Sequence, residues 1–309
     1  MLTLFTIPKA FEGHNGMIQK NAIHSWTMLR PKCEVILLAD DDGVAEAAEE
    51  LGVRHIPDIS RNKFGTPLLN HGFERAEDLA ETNLLCHINA DILLMNDFME
   101  AVQRVNSCSS KFMMTARRID LEVTERLSFE SDWEEQLRKD VSEHGKLSHT
   151  TGIDFWAYTR GLFDGMPPFA VGRIATESWL LYRARLMKAD VIDSTQVVAS
   201  IHQNHDYNHY AEGRVGLGTG VEAQLNRELV GGKRYFFTIR DRTHVLTPQR
   251  LKRPLDFWKV WRGLRTAPVI YPNLPLPLNL VIKGLNGSID ALRDLAIKVR
   301  NARSIVSRA

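Results

Sequence analysis

Side chains that could do chemistry follow four short apolar runs in the first half of the sequence. They are Thr6 with Pro8, Asp40 with Asp41, Arg61 with Asn62, and the tripeptide Asn89-Ala90-Asp91. A carboxylate fixed directly after a buried strand, as Asp91 would be, can hold Mg2+ or Mn2+, and such an ion neutralises a diphosphate as it departs. The alternative is that Asp91 only caps the segment that follows it. The sequence thus indicates either a metal-assisted transfer site or a local cap at this position.

Three further candidates lie in the second half. Glu177 stands at the start of a helical pattern, where a carboxylate can accept the proton of a hydroxyl group or can do no more than stabilise the helix dipole. His202 and His205 follow a short apolar run and precede a Gly-rich segment, 210–220, that is typical of a binding loop. A lone histidine is usually structural, but two within four residues, next to Asp206 and this segment, favour a functional role.

Two common phosphate-binding motifs are absent from the sequence. No G-x-G-x-x-G follows the first strand, and no G-x-x-x-x-G-K-[ST] occurs anywhere in the 309 residues. Side chains or an ion must therefore bind any phosphate. Cys33, Cys86 and Cys108 are an odd number of cysteines without CxxC spacing, which argues against a disulfide framework and against a zinc site.

The elements that must position these residues can be read from the hydrophobic pattern. Buried strands are predicted at 2–7, 34–39, 53–56, 84–88 and 111–115, and helices at 15–30, 44–51, 67–82 and from Asp97 onward. Further along, 120–149 is helix-prone, 153–158 alternates like a strand, 176–187 is an amphipathic helix, and 191–193 and 197–201 are short strands. This alternation predicts a largely parallel sheet covered on both faces, with ligands bound beyond the carboxyl ends of its strands.

The net charge of +1 conceals two parts of opposite charge. Residues 250–309 hold 12 Lys and Arg against 3 Asp and Glu, whereas residues 1–249 hold 27 against 35. This basic tail has helical patterns at 254–265 and 287–304 separated by a Pro-rich stretch. Such a tail suits an anionic membrane surface or docking on a partner, as in a homodimer, first, packing on the acidic body second, and nucleic acid last.

Composition excludes several classes of protein. Hydrophobic residues make up 44% and charged residues 25%, which rules out collagen-like, low-complexity and wholly disordered chains. No apolar run approaches the ~18 residues of a spanning helix, and the N-terminus lacks the pattern of a signal peptide. A cytoplasmic location is expected, with peripheral attachment at the inner face of the membrane as an option for the tail.

The ordered set of strand-end residues over 1–245 resembles the glycosyltransferases of the GT-A fold, whose hallmark is a DxD motif at the end of the fourth strand. Here the motif is Asn89-Ala90-Asp91, with an amide in place of the first carboxylate. The resemblance implies that Asp91 binds the metal, that Asn89 hydrogen-bonds a ribose and that His202 completes the metal's coordination. It also implies nucleotide-sugar-binding roles for Thr6, Pro8, Asp40, Asp41, Arg61 and Asn62, a general-base role for Glu177, and donor-sugar or acceptor contacts for Asp154, Trp156 and His205. Trp156 is expected to stack on a sugar ring through its apolar face, with a position in the core as the alternative.

The fold implied by the resemblance is α/β, a GT-A (Rossmann-like) and mostly parallel central sheet flanked by helices. It would form a domain at 1–247, with a nucleotide-binding half at 1–115 and an acceptor half at 116–247, followed by a helical extension at 248–309. The expected activity is transfer of a sugar from a nucleotide-diphosphate sugar to a hydroxyl of a carbohydrate or glycolipid acceptor. Mn2+ or Mg2+ would assist, the anomeric carbon would be inverted, and bacterial envelope polysaccharide or glycolipid synthesis is the expected setting.

Two alternatives to this activity remain open. One is a sugar-nucleotide nucleotidyltransferase of the same fold, although the Gly-rich basic loop that usually follows the first strand in those enzymes is absent here. The other is a non-catalytic binding module that acts through its basic tail.

Overall fold

The structure is a computed structural model that describes residues 2–205 and 218–273, with isolated positions between 275 and 287. The chain divides into two compact units, Met1–Pro254 and Leu255–Ala309. Most of the Gly-rich segment predicted at 210–220 lies outside the described residues, as does the helix predicted over 287–304. The domain boundary predicted after residue 247 stays a prediction.

In the first half of the chain, strands and helices alternate nearly as the hydrophobic pattern predicts. The elements are β1 (Thr3–Thr6), α1 (Gly13–Thr27), β2 (Glu34–Leu38), α2 (Val44–Leu51), β3 (Arg54–Ile56), α3 (Leu69–Leu79), β4 (Leu84–Ile88), β5 (Ile92–Leu93), α4 (Asn96–Cys108) and β6 (Phe112–Thr115). The strands β1, β2 and β4 are almost wholly buried, which is why they appear in the sequence as uninterrupted apolar runs rather than as alternating patterns.

The second half contains shorter elements and more connecting chain. They are β7 (Arg118–Leu121), α5 (Trp133–His144), β8 (Lys146–Leu147), β9 (Phe155–Thr159), α6 (Thr176–Leu186), β10 (Asp190–Asp193), β11 (Ser200–Gln203), α7 (Val221–Val230), β12 (His244–Leu246) and β13 (Leu251–Lys252). The helix predicted at 176–187 and the strand predicted at 153–158 agree with α6 and β9 to within two residues.

A nine-stranded sheet forms the centre of the first unit, in the order β13-β12-β10-β6-β9-β4-β1-β2-β3. All neighbouring pairs are parallel except those made by β9, which runs antiparallel to both β4 and β6, and the edge pair β12 and β13. The predicted α/β class with a mostly parallel central sheet is therefore confirmed. Because β4 lies beside β1, the residues that follow these two strands meet at one edge of the sheet.

A second sheet of four short strands, in the order β5-β11-β7-β8, was not predicted. β5 has only two residues, and it is fixed from the α1 side by the buried Trp26 indole, which donates a hydrogen bond of 2.8 Å to the Ile92 carbonyl. β11 pairs antiparallel with β5 and parallel with β7, and this register sets His202 opposite both Ile92 and Asp120. The small sheet therefore brings β11 and β7 next to the turn that follows β4.

The second unit contains α8 (Phe257–Ile270). Asp256 caps its N-terminus, because the Asp256 side chain accepts a hydrogen bond of 2.8 Å from the Lys259 backbone amide. The helix is longer than the pattern at 254–265 predicts because it continues past Pro268. No helix in the described part of the chain has both the length and the apolar character needed to cross a membrane.

Candidate active site

A cleft of about 240 Å³ opens at the carboxyl ends of β1 and β4. This is the place where an open, mostly parallel sheet binds its ligands. Of the residues singled out in the sequence, six line it: Thr6, Asn89, Asp91, Glu177, His202 and His205. Among the described residues, its cationic lining comes from Lys9, Arg118 and Arg173.

Asp91, His202 and His205 converge in this cleft and could share one metal ion. Asp91 Oδ2 lies 3.5 Å from His202 Nε2 and 3.2 Å from His205 Nε2, and ligand atoms of all three residues lie within 4.8 Å of one another. Asp91 Oδ1 is buried and has no hydrogen-bond partner among the described residues. A buried carboxylate oxygen left without a donor, beside two imidazole nitrogens, suits a cation, so the residues fit the expected ion.

The charge state of the cluster follows from these contacts. Burial alone would raise the pKa of Asp91, but the neighbouring His202 and His205 hold it well below its usual range. Burial alone would lower the pKa of His202, yet the facing Asp91 carboxylate raises it. His205 was expected at the donor sugar or acceptor, whereas the structure sets it against Asp91.

The ring of His202 is held from its other side by the small sheet. Its Nδ1 lies 3.3 Å from Asp120 Oδ1, an ion-pair distance without a hydrogen bond, and Asp120 accepts a hydrogen bond of 2.7 Å from Arg118 Nε. The Asp120 carboxylate therefore acts on this ring through its charge, which favours a proton on Nδ1 and leaves Nε2 available to a ligand. Asp120 had not been singled out in the sequence, because only the pairing of β7 with β11 brings it to His202.

Asp154 lies behind the cleft rather than in it. The residue is 6% exposed, and its carboxylate accepts hydrogen bonds from Asn89 Nδ2 at 2.8 Å and from Arg118 Nη1 at 3.0 Å. Burial alone would lower the pKa of Arg118, but Asp154 and Asp120 raise it, so the guanidinium stays charged. Asp154 was expected to touch donor sugar or acceptor, and its burial instead makes it an internal partner of two cleft residues.

Trp156 is a correction to the sequence analysis. It was expected to stack on a sugar ring, but it is 3% exposed and its ring stacks on His87 with centroids 5.5 Å apart. Neither face of the indole is therefore open to a ligand. His87 itself lines the cleft, and burial lowers its pKa to about 3, so that this unpredicted residue is a neutral part of the cleft wall.

Glu177 lies in the first turn of α6 and lines the cleft. Burial, together with the charge of Asp154, raises the pKa of its carboxyl group to about 7. The residue before the helix, Ala175, has a φ of +87°, a left-handed conformation that is costly for a side chain other than glycine. Strain of this kind is typical of functional segments, and a carboxyl group titrating near neutrality can accept a proton there.

Four predicted nucleotide-sugar-binding residues form a network beside the cleft without lining its described part. Arg61 pairs with Asp40 and Asp41, the latter at 2.6 Å, and these contacts hold the pKa of Asp40 below its usual range. Asn62 donates a hydrogen bond of 2.7 Å to Glu222 of α7. Pro8, the fifth predicted residue outside the lining, is buried just after β1.

Glu222 connects this network to the cleft. Its carboxylate accepts a hydrogen bond of 3.1 Å from Arg173 Nε. One turn further along α7, the side chain of Asn226 accepts a hydrogen bond of 3.0 Å from the Ala170 backbone N–H and donates one of 3.1 Å to the Ala170 carbonyl. α7 therefore holds the loop before α6, from which Arg173 enters the cleft. Lys9, Arg118 and Arg173 lie on separate loops and strands, so no spacing in the sequence would have grouped them.

No protein family model and no curated protein matches the sequence. Solved structures that resemble the fold include S. aureus TarS 1-349, with 11% identity over 66% of this chain and 57% of that chain and a TM-score of 0.39. Another is the mannosyltransferase PcManGT from Pyrobaculum calidifontis in complex with GDP-Man and Mn2+, with 14% identity over 97% and 80% and a TM-score of 0.43. A third is glucosyl-3-phosphoglycerate synthase from Mycobacterium tuberculosis with Mn2+, UDP and glucosyl-3-phosphoglycerate, with 16% identity over 75% and 81% and a TM-score of 0.46.

These likenesses, all with TM-scores below 0.5, carry no conclusion about function. This chain also spans little more than half of the TarS structure named first, at 57%. The sheet itself shows the α/β class with a mostly parallel centre that the resemblance implies, and in it β4 lies beside β1 and is followed directly by Asn89-Ala90-Asp91.

Proposed function

We propose that this chain is a metal-dependent glycosyltransferase that moves a sugar from a nucleotide-diphosphate sugar to an acceptor hydroxyl. The observation that carries the proposal is a single cleft that combines possible ion ligands, Asp91, His202 and His205, with a carboxyl group, Glu177, whose pKa is about 7. Transfer from a diphosphate leaving group needs both, because negative charge must be neutralised on one side and a proton accepted on the other.

Each side of the cleft has a separate task in this reaction. A divalent ion held by Asp91 and the two histidines would neutralise the diphosphate as it departs. Lys9 and Arg173 line the same cleft and supply further positive charge for phosphate oxygens. Thr6, at the end of β1, lines the cleft and is the proposed contact for the nucleoside.

Glu177 is the proposed general base. Its carboxylate form accepts the proton of the acceptor hydroxyl as that oxygen attacks the anomeric carbon, and direct attack of this kind inverts the configuration. A pKa near 7 balances the fraction of carboxylate present against its basicity at neutral pH. Inversion is thus part of the proposal.

The proposed ion is Mn2+ rather than Mg2+. Two of the three candidate ligands are imidazoles, whereas Mg2+ prefers oxygen ligands throughout. The donor base, the sugar and the acceptor stay open within the class of nucleotide-diphosphate sugars and carbohydrate or glycolipid hydroxyls.

Attachment to an anionic membrane surface through residues 250–309 is a further part of the proposal, in keeping with bacterial envelope polysaccharide or glycolipid synthesis. It is supported by exposed apolar side chains on α8, where Phe257 is 73% and Val260 59% exposed, in a basic segment. Co-sedimentation with phosphatidylglycerol vesicles tests this part, and full retention by the Phe257→Glu/Val260→Glu variant would refute it. The homodimer remains the alternative, which analytical ultracentrifugation would reveal.

Calorimetric titration with UDP, GDP and dTDP, each with and without Mn2+, tests the proposed activity. We expect one diphosphate to bind with an affinity that depends on Mn2+, and we expect Asp91→Ala to abolish that dependence. Asp58→Ala, which removes an exposed carboxylate, is the matched control. If none of the three nucleotides bound with the ion present, the glycosyltransferase proposal would fail.

A further inference from the structure

A chain of polar contacts joins the two ends of the Asn89-Ala90-Asp91 tripeptide. We call it the polar ring, and its members in order are Asn89, Asp154, Arg118, Asp120, His202 and Asp91. Its five contacts measure 2.8, 3.0, 2.7, 3.3 and 3.5 Å. Asn89 and Asp91 lie in the turn between β4 of the large sheet and β5 of the small sheet, and the small sheet supplies Arg118, Asp120 and His202. The ring therefore ties together the two sheets that form the ion side of the cleft.

At the contact between Asn89 and Asp154, the side-chain amide of Asn89 does what a carboxylate at position 89 could not do, because it donates a hydrogen bond. The two residues are also joined through their backbones, since the backbone N–H of Asn89 donates a hydrogen bond of 2.9 Å to the backbone carbonyl of Asp154. Their side chains therefore cannot separate easily. Each oxygen of the buried Asp154 carboxylate receives one donor, Asn89 on Oδ1 and Arg118 on Oδ2. A carboxylate at position 89 would offer no donor and would set a second negative charge about 3 Å from the first, which a buried site tolerates poorly.

We propose that Asn89 is a positioning residue of the ion site, which acts by donating its amide hydrogen to Asp154. That bond leaves Arg118 shared between Asp154 and Asp120, and Asp120 in turn places its charge 3.3 Å from His202 Nδ1. The replacement of the first carboxylate of the DxD pattern is thus a requirement of this site rather than a loss. The proposal rests on the proposed function in one respect only, that Asp91, His202 and His205 hold an ion.

Asn89→Asp, which restores the DxD pattern, should therefore impair the ion site. We expect Mn2+ affinity, measured by electron paramagnetic resonance of the free ion, to fall roughly 10-fold or more, as when a group that orients a metal ligand is lost. We expect the melting temperature to fall on the order of 5 °C, because two carboxylates then face each other in a buried contact.

The double variant Asn89→Asp/Asp154→Asn is the rescue. It exchanges the two side chains across the contact, so that an amide again donates to a carboxylate and the net charge equals that of the natural chain. We expect both Mn2+ affinity and melting temperature to recover most of the loss. Asn106→Asp adds the same charge at an exposed position on α4 and should change neither quantity.

Two results would overturn the proposal. Tighter Mn2+ binding by Asn89→Asp than by the natural chain would mean that position 89 can serve as an ion ligand. An unchanged melting temperature, or a double variant no better than the single one, would mean that the side-chain amide of Asn89 does not stabilise the polar ring. Should the natural chain bind no Mn2+, both the ion site and the proposed function would be wrong. The melting temperatures would still decide whether Asn89 stabilises the polar ring.

Discussion

Replacing Glu177 with Gln should make the protein more stable at alkaline pH and far less active. The substitution keeps the shape of the side chain but removes the ionisable group. In the folded protein the pKa of Glu177 is raised from 4.5 to about 7, mainly by burial. The folded state therefore binds this proton more tightly than the unfolded state does, and the stabilisation from protonation is complete only below about pH 4.5.

The magnitude follows from the two pKa values. As pH rises from about 4.5 to 7, the unfolded chain ionises while the folded one resists, so stability falls with pH. The difference between the two pKa values corresponds to about 3 kcal/mol of stabilisation free energy, which the natural protein has lost above about pH 7. Because glutamine does not titrate, Glu177→Gln should match the natural protein near pH 4 and exceed it by up to about 3 kcal/mol at pH 8.

Urea unfolding of both proteins at half-unit steps from pH 4 to pH 8.5 measures this difference. Glu46→Gln is the control, because Glu46 also lies in the first turn of a helix but is exposed. A stability difference between Glu177→Gln and the natural protein that does not change with pH would refute the reasoning, since Glu177 would then titrate alike in both states. Donor turnover should fall roughly 10²–10⁴-fold in Glu177→Gln, and the natural enzyme should lose activity below about pH 7.

Three further predictions concern other parts of the cleft. Glu222→Gln should weaken the hold on Arg173 and raise the KM for the donor by a larger factor than it lowers kcat, and equal changes in both would contradict this role. Asp120→Asn should weaken Mn2+ binding roughly 10-fold in titration calorimetry while the affinity for metal-free nucleotide stays within a factor of two. Trp156→Ala should cost about 3–5 kcal/mol in urea unfolding, because it empties a core position, and Trp156→Phe should retain donor affinity, which a sugar-stacking residue would not.

Much of the large sheet could be predicted from the sequence, because its central strands are buried on both faces and appear as plain apolar runs. The same reasoning located Asp91, since a polar residue directly after such a run must lie at the ligand-binding edge. The small sheet could not be predicted in this way. β5 and β8 have two residues each, and β7 begins with charged residues whose pairing partners lie far along the chain.

Prediction was weakest where the role of a residue depends on its partner. Arg61 and Asp40 each suggest a ligand contact when considered alone, but in the structure they pair with one another. Trp156 alternates with its neighbours as an exposed aromatic residue would, yet in the structure the indole stacks on His87 and is buried. Pairing and burial of this kind arise from contacts between distant segments, which no local pattern contains.

The two chemical tasks proposed for the cleft are carried by different elements. The ion side depends on the small sheet, because β11 and β7 supply His202 and the carboxylate behind it, while the base side depends on α6 and the loop that α7 holds. Asp120→Asn, which leaves Asp154 and Arg118 in place, should therefore change ion binding without moving the pH dependence of stability that Glu177 causes, and Glu177→Gln should leave ion binding intact. A glycosyltransferase needs both sides at once, whereas a protein that only binds a nucleotide would not need Glu177 to titrate near neutrality.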